Sequence, residues 1–242
     1  MASMIRLHKV IAGRGYCSLR KAERLILQGK VKVNGEVAQG VCLVDPERDL
    51  IEIQGREIKP QPLGVILFHK PKKVVSTMSD PEGRRCIGDY ITKRYRGYKP
   101  VGRLDWDTTG LMVLTNDGKL AYRLSHPRFG FERVYDVKVK GRLNEKQLRA
   151  IERGIKIDGR RVVGEIDSLR EDECSSRLRF VLREGRNRVV RKVFQRVGTP
   201  VQKLKRIRFG PFSLGRLKSG EIRKLSHKEY LRYKSIIMGK GQ

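Results

Sequence analysis

Three aspartates, Asp105, Asp107 and Asp117, gather in one stretch, VGRLDWDTTGLMVLTNDG, of a chain that carries 55 Lys and Arg against 26 Asp and Glu. Three chemistries fit those residue types. Asp105 and Asp107 suit turns, because an Asp side chain accepts from nearby backbone N–H groups; the threonines after Asp107 and the glycine after Asp117 favour that. Asp-Trp-Asp also fits a two-carboxylate metal site, although Mg²⁺ sites of that sort lean on substrate phosphates as well. Alternatively, one ionised carboxylate in basic surroundings acts as nucleophile or base on an RNA sugar or base, without any cofactor. Rivals for a catalytic role are few. His8, His69, His126 and His227 stand in no triad motif, and the chain has no Walker glycine loop, dinucleotide fingerprint or H-E-x-x-H.

The charge points to the partner. A net charge of +29 on 242 residues, with a pI near 10.5, repels itself in the folded state and is tolerated where the partner is a polyanion. An anionic membrane would also attract it, but no run of about 18 apolar residues exists to span one. The N-terminal residues MASMIRLHKVIAGRGYCS lack the apolar core of a secretory signal. Cys17, Cys42, Cys86 and Cys174 are scattered singly, which disfavours zinc and disulfides and suits a reducing cytoplasm.

Elements must position these residues. GRLDWDTTG reads as a strand end entering a turn, LMVLT as a buried strand and NDG as a second turn. VILFHK, RVYDVKV and LRFVL read as further strands, with Tyr135 among Val134, Val137 and Val139. Arg188, Arg191 and Lys192 lie at helical spacing, and Val189, Val190, Val193, Phe194 and Val197 form the apolar stripe of that segment. Upstream, Ser18 is placed to cap a helix whose apolar stripe is Leu19, Ala22, Leu25 and Ile26 and which Gly29 ends. Arg20, Lys21 and Arg24 lie on its other face, with Lys30 just beyond; they suit RNA phosphates, or equally an ordinary solvated face. KVKVNGEVA carries an Asn-Gly hairpin signal. KPQPLG (59–64) is a stiff, proline-containing linker. The expected organisation is α+β: a small helix-rich domain over 1–60 and a larger, strand-rich domain over 65–235, with 226–242 a short helix and a loose end.

The stretch RLHKVIAGRGYCSLRKAERLILQGKVKVNGEVA resembles the small RNA-binding domain named after protein four of the small ribosomal subunit. HKPKKVVST, the Gly-Arg-Leu-Asp-x-Asp-Thr-x-Gly block, SHPRFGFERVYDVKVKGRL and the segment from LREGRNRVVRKVF onward resemble, in order, the motifs of bacterial ribosomal RNA pseudouridine synthases of the RsuA/RluB type. The similarity runs over residues 5–225. It implies isomerisation of a uridine in ribosomal RNA, on a curved, largely antiparallel sheet, by a cytoplasmic monomer that needs no metal or cofactor. Asp105 holds the position of the essential aspartate, Tyr135 that of the aromatic that stacks on the uracil, and Arg191 that of the cation beside the aspartate. Arg103 falls with the substrate contacts; Arg186 and Arg188 fall with the RNA contacts. Attack by Asp105 on the anomeric carbon and removal of the ribose 2′ proton both remain open. Val189 stands where the family usually has Gln, and Lys73 where Gly is common. Relatives act on either ribosomal subunit; the large one is slightly favoured. The alternatives are a non-catalytic RNA-binding assembly factor and, more distantly, a metal-dependent sugar or phosphate enzyme.

Overall fold

The computed structural model describes residues 4–91 and 95–239. The N-terminal unit runs β1 (Ile5–Arg6), α1 (Leu7–Gly13), α2 (Leu19–Leu27), β2 (Val31–Val33), β3 (Glu36–Val37), β4 (Leu43–Val44), β5 (Ile51–Ile53) and β6 (Arg56–Glu57). The Ser18 hydroxyl accepts from the Lys21 N–H at the start of α2, and Gly29 ends the helix at φ +66°. Asn34 and Gly35 both have positive φ, as a type I′ turn requires, and the turn pairs β2 with β3. Leu7, Ile11, Ala22, Ile26, Val31, Ile51 and Ile53 close a separate core. Leu19 departs from the expected stripe. At the first position of α2 it is 44% exposed, because the core reaches only as far as Ala22.

Residues 59–63 form no regular structure, and Asn116 pins the end of the segment: its side chain accepts from the Gly64 N–H and donates to the Pro62 carbonyl. Beyond it come β7 (Val65–Lys70), β8 (Lys99–Pro100), β9 (Thr109–Thr115), α3 (Gly118–Ser125), β10 (Arg133–Lys140) and α4 (Glu145–Arg153). The chain continues through β11 (Ile155–Ile157), β12 (Arg160–Val162), β13 (Glu165–Glu171), β14 (Ser175–Leu182) and α5 (Val189–Arg196). It ends with β15 (Val201–Phe209), β16 (Phe212–Ser213), β17 (Ile222–Lys224) and α6 (His227–Gly239).

The main sheet has the order β13-β14-β10-β15-β9-β7-β17 and is antiparallel except where β9 meets β15. Alternation along the strands gives it two unlike faces. One buries Phe68, Met112, Val137, Phe180 and Leu204 against Val190 and Phe194 of α5 and Ile151 of α4. The other buries Val65, Leu67, Leu111 and Val113 against α3 and α6. The expected C-terminal helix is α6, docked by the buried Tyr230 and Ile237; the expected loose end, 240–242, lies outside the described residues. No described helix is long and apolar enough to cross a membrane.

Candidate active site

Asp105 stands on the loop between β8 and β9, and that loop is braced from the segment after β7. The Ser76 hydroxyl donates to the Leu104 carbonyl at 2.6 Å and accepts from the Leu104 N–H at 3.0 Å. The Lys73 N–H donates to the Trp106 carbonyl, and the Thr108 N–H closes a turn on the Asp105 carbonyl. The HKPKKVVST motif is therefore the scaffold of the aspartate loop. Lys73 takes φ +60°, a left-handed conformation that costs a non-glycine residue about 1–2 kcal/mol, which accounts for the glycine common at this position.

Asp105 lines a cleft of about 380 Å³ together with Arg103, Arg133, Tyr135, Arg186, Arg188, Val189 and Arg206. Tyr135 projects from the middle of β10, almost wholly buried, at the cleft floor. Arg133 and Arg206 flank it, and their guanidinium carbons lie 4.8 and 4.7 Å from the centre of the Phe209 ring. Arg206 is 2% exposed and donates through Nε to the Leu111 carbonyl; burial pushes its pKa down, opposed chiefly by Tyr135. An arginine stays protonated even so. Neither Arg133 nor Arg206 stood out in the sequence, where each is one cation among many.

The cation partners differ from those expected. Arg191 does not face Asp105: its Nη2 lies 2.7 Å from Oδ2 of Asp107. Arg188 is the guanidinium beside Asp105, with Nη1 3.7 Å from Oδ2, and it also reaches Asp107 at 3.9 Å. The cause is local. Arg188 breaks from the helical spacing expected of it and Arg191, taking φ +51° just ahead of α5, and that conformation turns its side chain to the cleft. Lys192 turns away to Asp158. Asp107 is thus more than a turn former, since its side chain ties the aspartate loop to α5. Arg186 is held by Glu184 at 2.6 Å and by the Ile157 carbonyl, so it shapes the cleft wall. Val189, at the first turn of α5, is buried and gives the wall an apolar patch where a glutamine would offer hydrogen bonds.

Lys70, at the end of β7, has no exposed surface and donates to the carbonyls of Pro71 and Val74. Burial lowers its pKa to about 8, against the pull of Asp105 and Asp107. Asp117 is remote from the cleft. It caps α3 by accepting from the Lys119 and Leu120 N–H groups, and it takes a 2.7 Å bond from the Tyr230 hydroxyl. Arg20, Lys21, Arg24 and Lys30 are all exposed on or beside α2.

Comparison with known proteins follows the same division of the chain. A family model described as RNA pseudouridylate synthase matches residues 64–196, and an S4 domain model matches residues 5–40. The chain is 38% identical over 236 residues to the ribosomal large subunit pseudouridine synthase B of Bacillus subtilis (strain 168), covering 96% of this chain and 97% of that one. It is 39% identical over 228 residues to an uncharacterized RNA pseudouridine synthase of Aquifex aeolicus (strain VF5), covering 93% and 92%. A solved crystal structure of a pseudouridylate synthase superposes with a TM-score of 0.65 at 27% identity, over 93% of this chain and 97% of that one.

Proposed function

The chain belongs to the RNA pseudouridylate synthase family, and we propose that it isomerises a uridine of large-subunit ribosomal RNA, with residues 65–235 as the catalytic domain and 1–60 as an RNA-docking domain. One observation carries the assignment of the site: Asp105 opens onto a cleft walled by Arg103, Arg133, Arg188 and Arg206, with Tyr135 at its floor. In that setting the carboxylate acts on the ribose of a uridine swung out of its helix, and the Tyr135 ring receives the uracil face. The bond from uracil N1 to the anomeric carbon breaks, the base turns, a bond forms from C5, and the proton lost from C5 is balanced by one gained at N1. Both candidate roles of Asp105, nucleophile at the anomeric carbon and base toward the 2′ position, use its carboxylate, beside which the Arg188 guanidinium lies at 3.7 Å. Arg103, exposed beside Asp105, suits a phosphate, and Arg206, buried in the cleft wall, suits a base oxygen. The large subunit is chosen because relatives spanning nearly the whole chain are named for it.

Chemical mapping of pseudouridine in cells with and without this protein tests the proposal. Loss of a single large-subunit site, restored by the wild type and not by Asp105→Asn, is the expected result. A missing small-subunit site would overturn the choice of subunit, and an unchanged map would overturn the function.

A further inference from the structure

On the sheet face turned away from the cleft, α3 and α6 cover β7, β9 and the Phe209–Phe212 end of β15 and β16. Across β13, β14, β10 and the rest of β15 the same face carries two rows rich in charge, with the apolar Val134, Val181 and Ile207 beyond them. Register places Arg170 opposite Arg177, Arg177 opposite Lys138, and Lys138 opposite Lys203, so one row of four cations crosses four neighbouring strands. The next row reads Ser168, Arg179, Asp136, Lys205. Arg170, Arg177 and Lys203 are exposed and Lys138 is half-buried.

Like charges directly opposite one another weaken strand pairing. Arg177 is matched, with Asp136 accepting from it at 2.7 and 3.0 Å. Lys138, Arg170 and Lys203 have no ion pair among the described residues. Toward the other end, Glu132, Glu165 and Asp167 line a shallow groove with Arg179, Lys205 and Arg208, and bound the basic strip there. A row of cations that costs the sheet pairing energy, on a face left bare by the helices, fits a polyanion. At about 4.8 Å between strands the row spans about 14 Å, the scale of a run of backbone phosphates. We propose that the Arg170–Arg177–Lys138–Lys203 row, widened by Arg179 and Lys205, is a second RNA-docking face that grips duplex backbone away from the uridine while the cleft works on the opposite side of the sheet. It goes beyond the proposed chemistry and rests on it only for the choice of RNA as the polyanion.

The test uses the full chain and a 30-base-pair RNA duplex without uridine, which cannot be a substrate. A result on it therefore stands or falls separately from the isomerase function. In the quadruple variant Arg170→Gln, Arg177→Gln, Lys138→Gln, Lys203→Gln, the slope of log affinity against log salt, read by fluorescence anisotropy, should shrink by roughly 0.7–0.9 for each phosphate no longer neutralised. Its melting temperature should stay within a few degrees of that of the wild type, since relief of cross-strand repulsion offsets the loss of the Arg177–Asp136 pair. Ser168→Glu removes nothing and places an anion beside Arg179; it should weaken duplex binding at least several-fold. An unchanged salt slope in the first variant, or unchanged affinity in the second, overturns the proposal. Weakened binding only to anionic phospholipid vesicles, with the RNA slope intact, would assign the face to a membrane surface and overturn it as well.

Discussion

Asp105→Asn keeps the shape of the side chain and its place beside Arg188 but removes the charge that both routes to the glycosidic bond require. Pseudouridine formation is expected to fall by at least about 10²–10⁴-fold with RNA affinity retained; near wild-type turnover would remove Asp105 from the chemistry. Asp107→Asn is expected to be milder. Its partner is Arg191 and its side chain is 44% exposed, so the pair contributes about 1 kcal/mol or less and turnover should drop only a few-fold. Equal inactivation by both substitutions would mean that the two carboxylates act together. Lys70 supplies a pH signature. Burial brings its pKa down to about 8 against the pull of Asp105 and Asp107, so turnover should decline as pH passes that value. Stability should move the other way. Between pH 8 and 10.5 the folded state has shed a proton that the unfolded chain still holds, so stability rises with pH, by up to roughly 3 kcal/mol. Denaturant midpoints and single-turnover rates measured across that range would separate the two trends; parallel decline would show that Lys70 is not the group observed. Asp105 was legible in the sequence because a dense motif surrounds it. Lys70, Arg133 and Arg206 were not, because a cation reads as solvated until strands distant along the chain bury it.

At the level of elements, Gly110 shows how closely the site depends on strand spacing. It sits at the parallel junction of β9 and β15, opposite Arg206, at φ +107°, and a Cβ there would lie 2.2 Å from the Arg206 carbonyl oxygen. Gly110→Ala must push β15 away and carry Arg206 with it. The expected outcome is destabilisation of about 1–3 kcal/mol together with a loss of turnover larger than for a surface change of equal stability cost. A stable, fully active variant would show that the spacing is slack. Asp117 serves a different element. Burial would raise its pKa, but the Leu120 N–H, Tyr230 and Lys234 outweigh that and hold it low, so the stability it contributes is present above the ordinary Asp value and is lost as pH falls through the depressed one. Asp117→Ala removes the cap of α3 and leaves the Tyr230 hydroxyl without its acceptor in the core, at a cost of about 2–4 kcal/mol. Turnover at low temperature should change little, and equal damage to turnover and melting temperature would tie α6 to the chemistry. The hairpin at Asn34–Gly35 and the cap at Ser18 were readable locally, since each rests on residues within a few positions. The anchoring of α6 was not, because Tyr230 meets Asp117 only once the sheet has folded.

At the scale of the whole molecule, the charge of +29 is distributed over distinct surfaces. Arg20, Lys21 and Arg24 project from α2 on the side opposite Ala22, Leu25 and Ile26, which are buried in the N-terminal core. All three are exposed, and α2 belongs to a core that shares no side chain with the two cores flanking the main sheet. Changing them to Gln therefore leaves the cleft and its cations in place while freeing up to three phosphates. The slope of log affinity against log salt should shrink by roughly 0.7–0.9 for each phosphate freed. The half-saturating RNA concentration should rise and the maximal rate should stay nearly intact, because the removed interactions contribute equally to the bound and reacting states. An unchanged slope would reduce the three side chains to a solvated face. A collapse of the maximal rate with affinity preserved would mean that the N-terminal unit sets the uridine over Asp105, in which case its core and the catalytic sheet must move as one body during turnover.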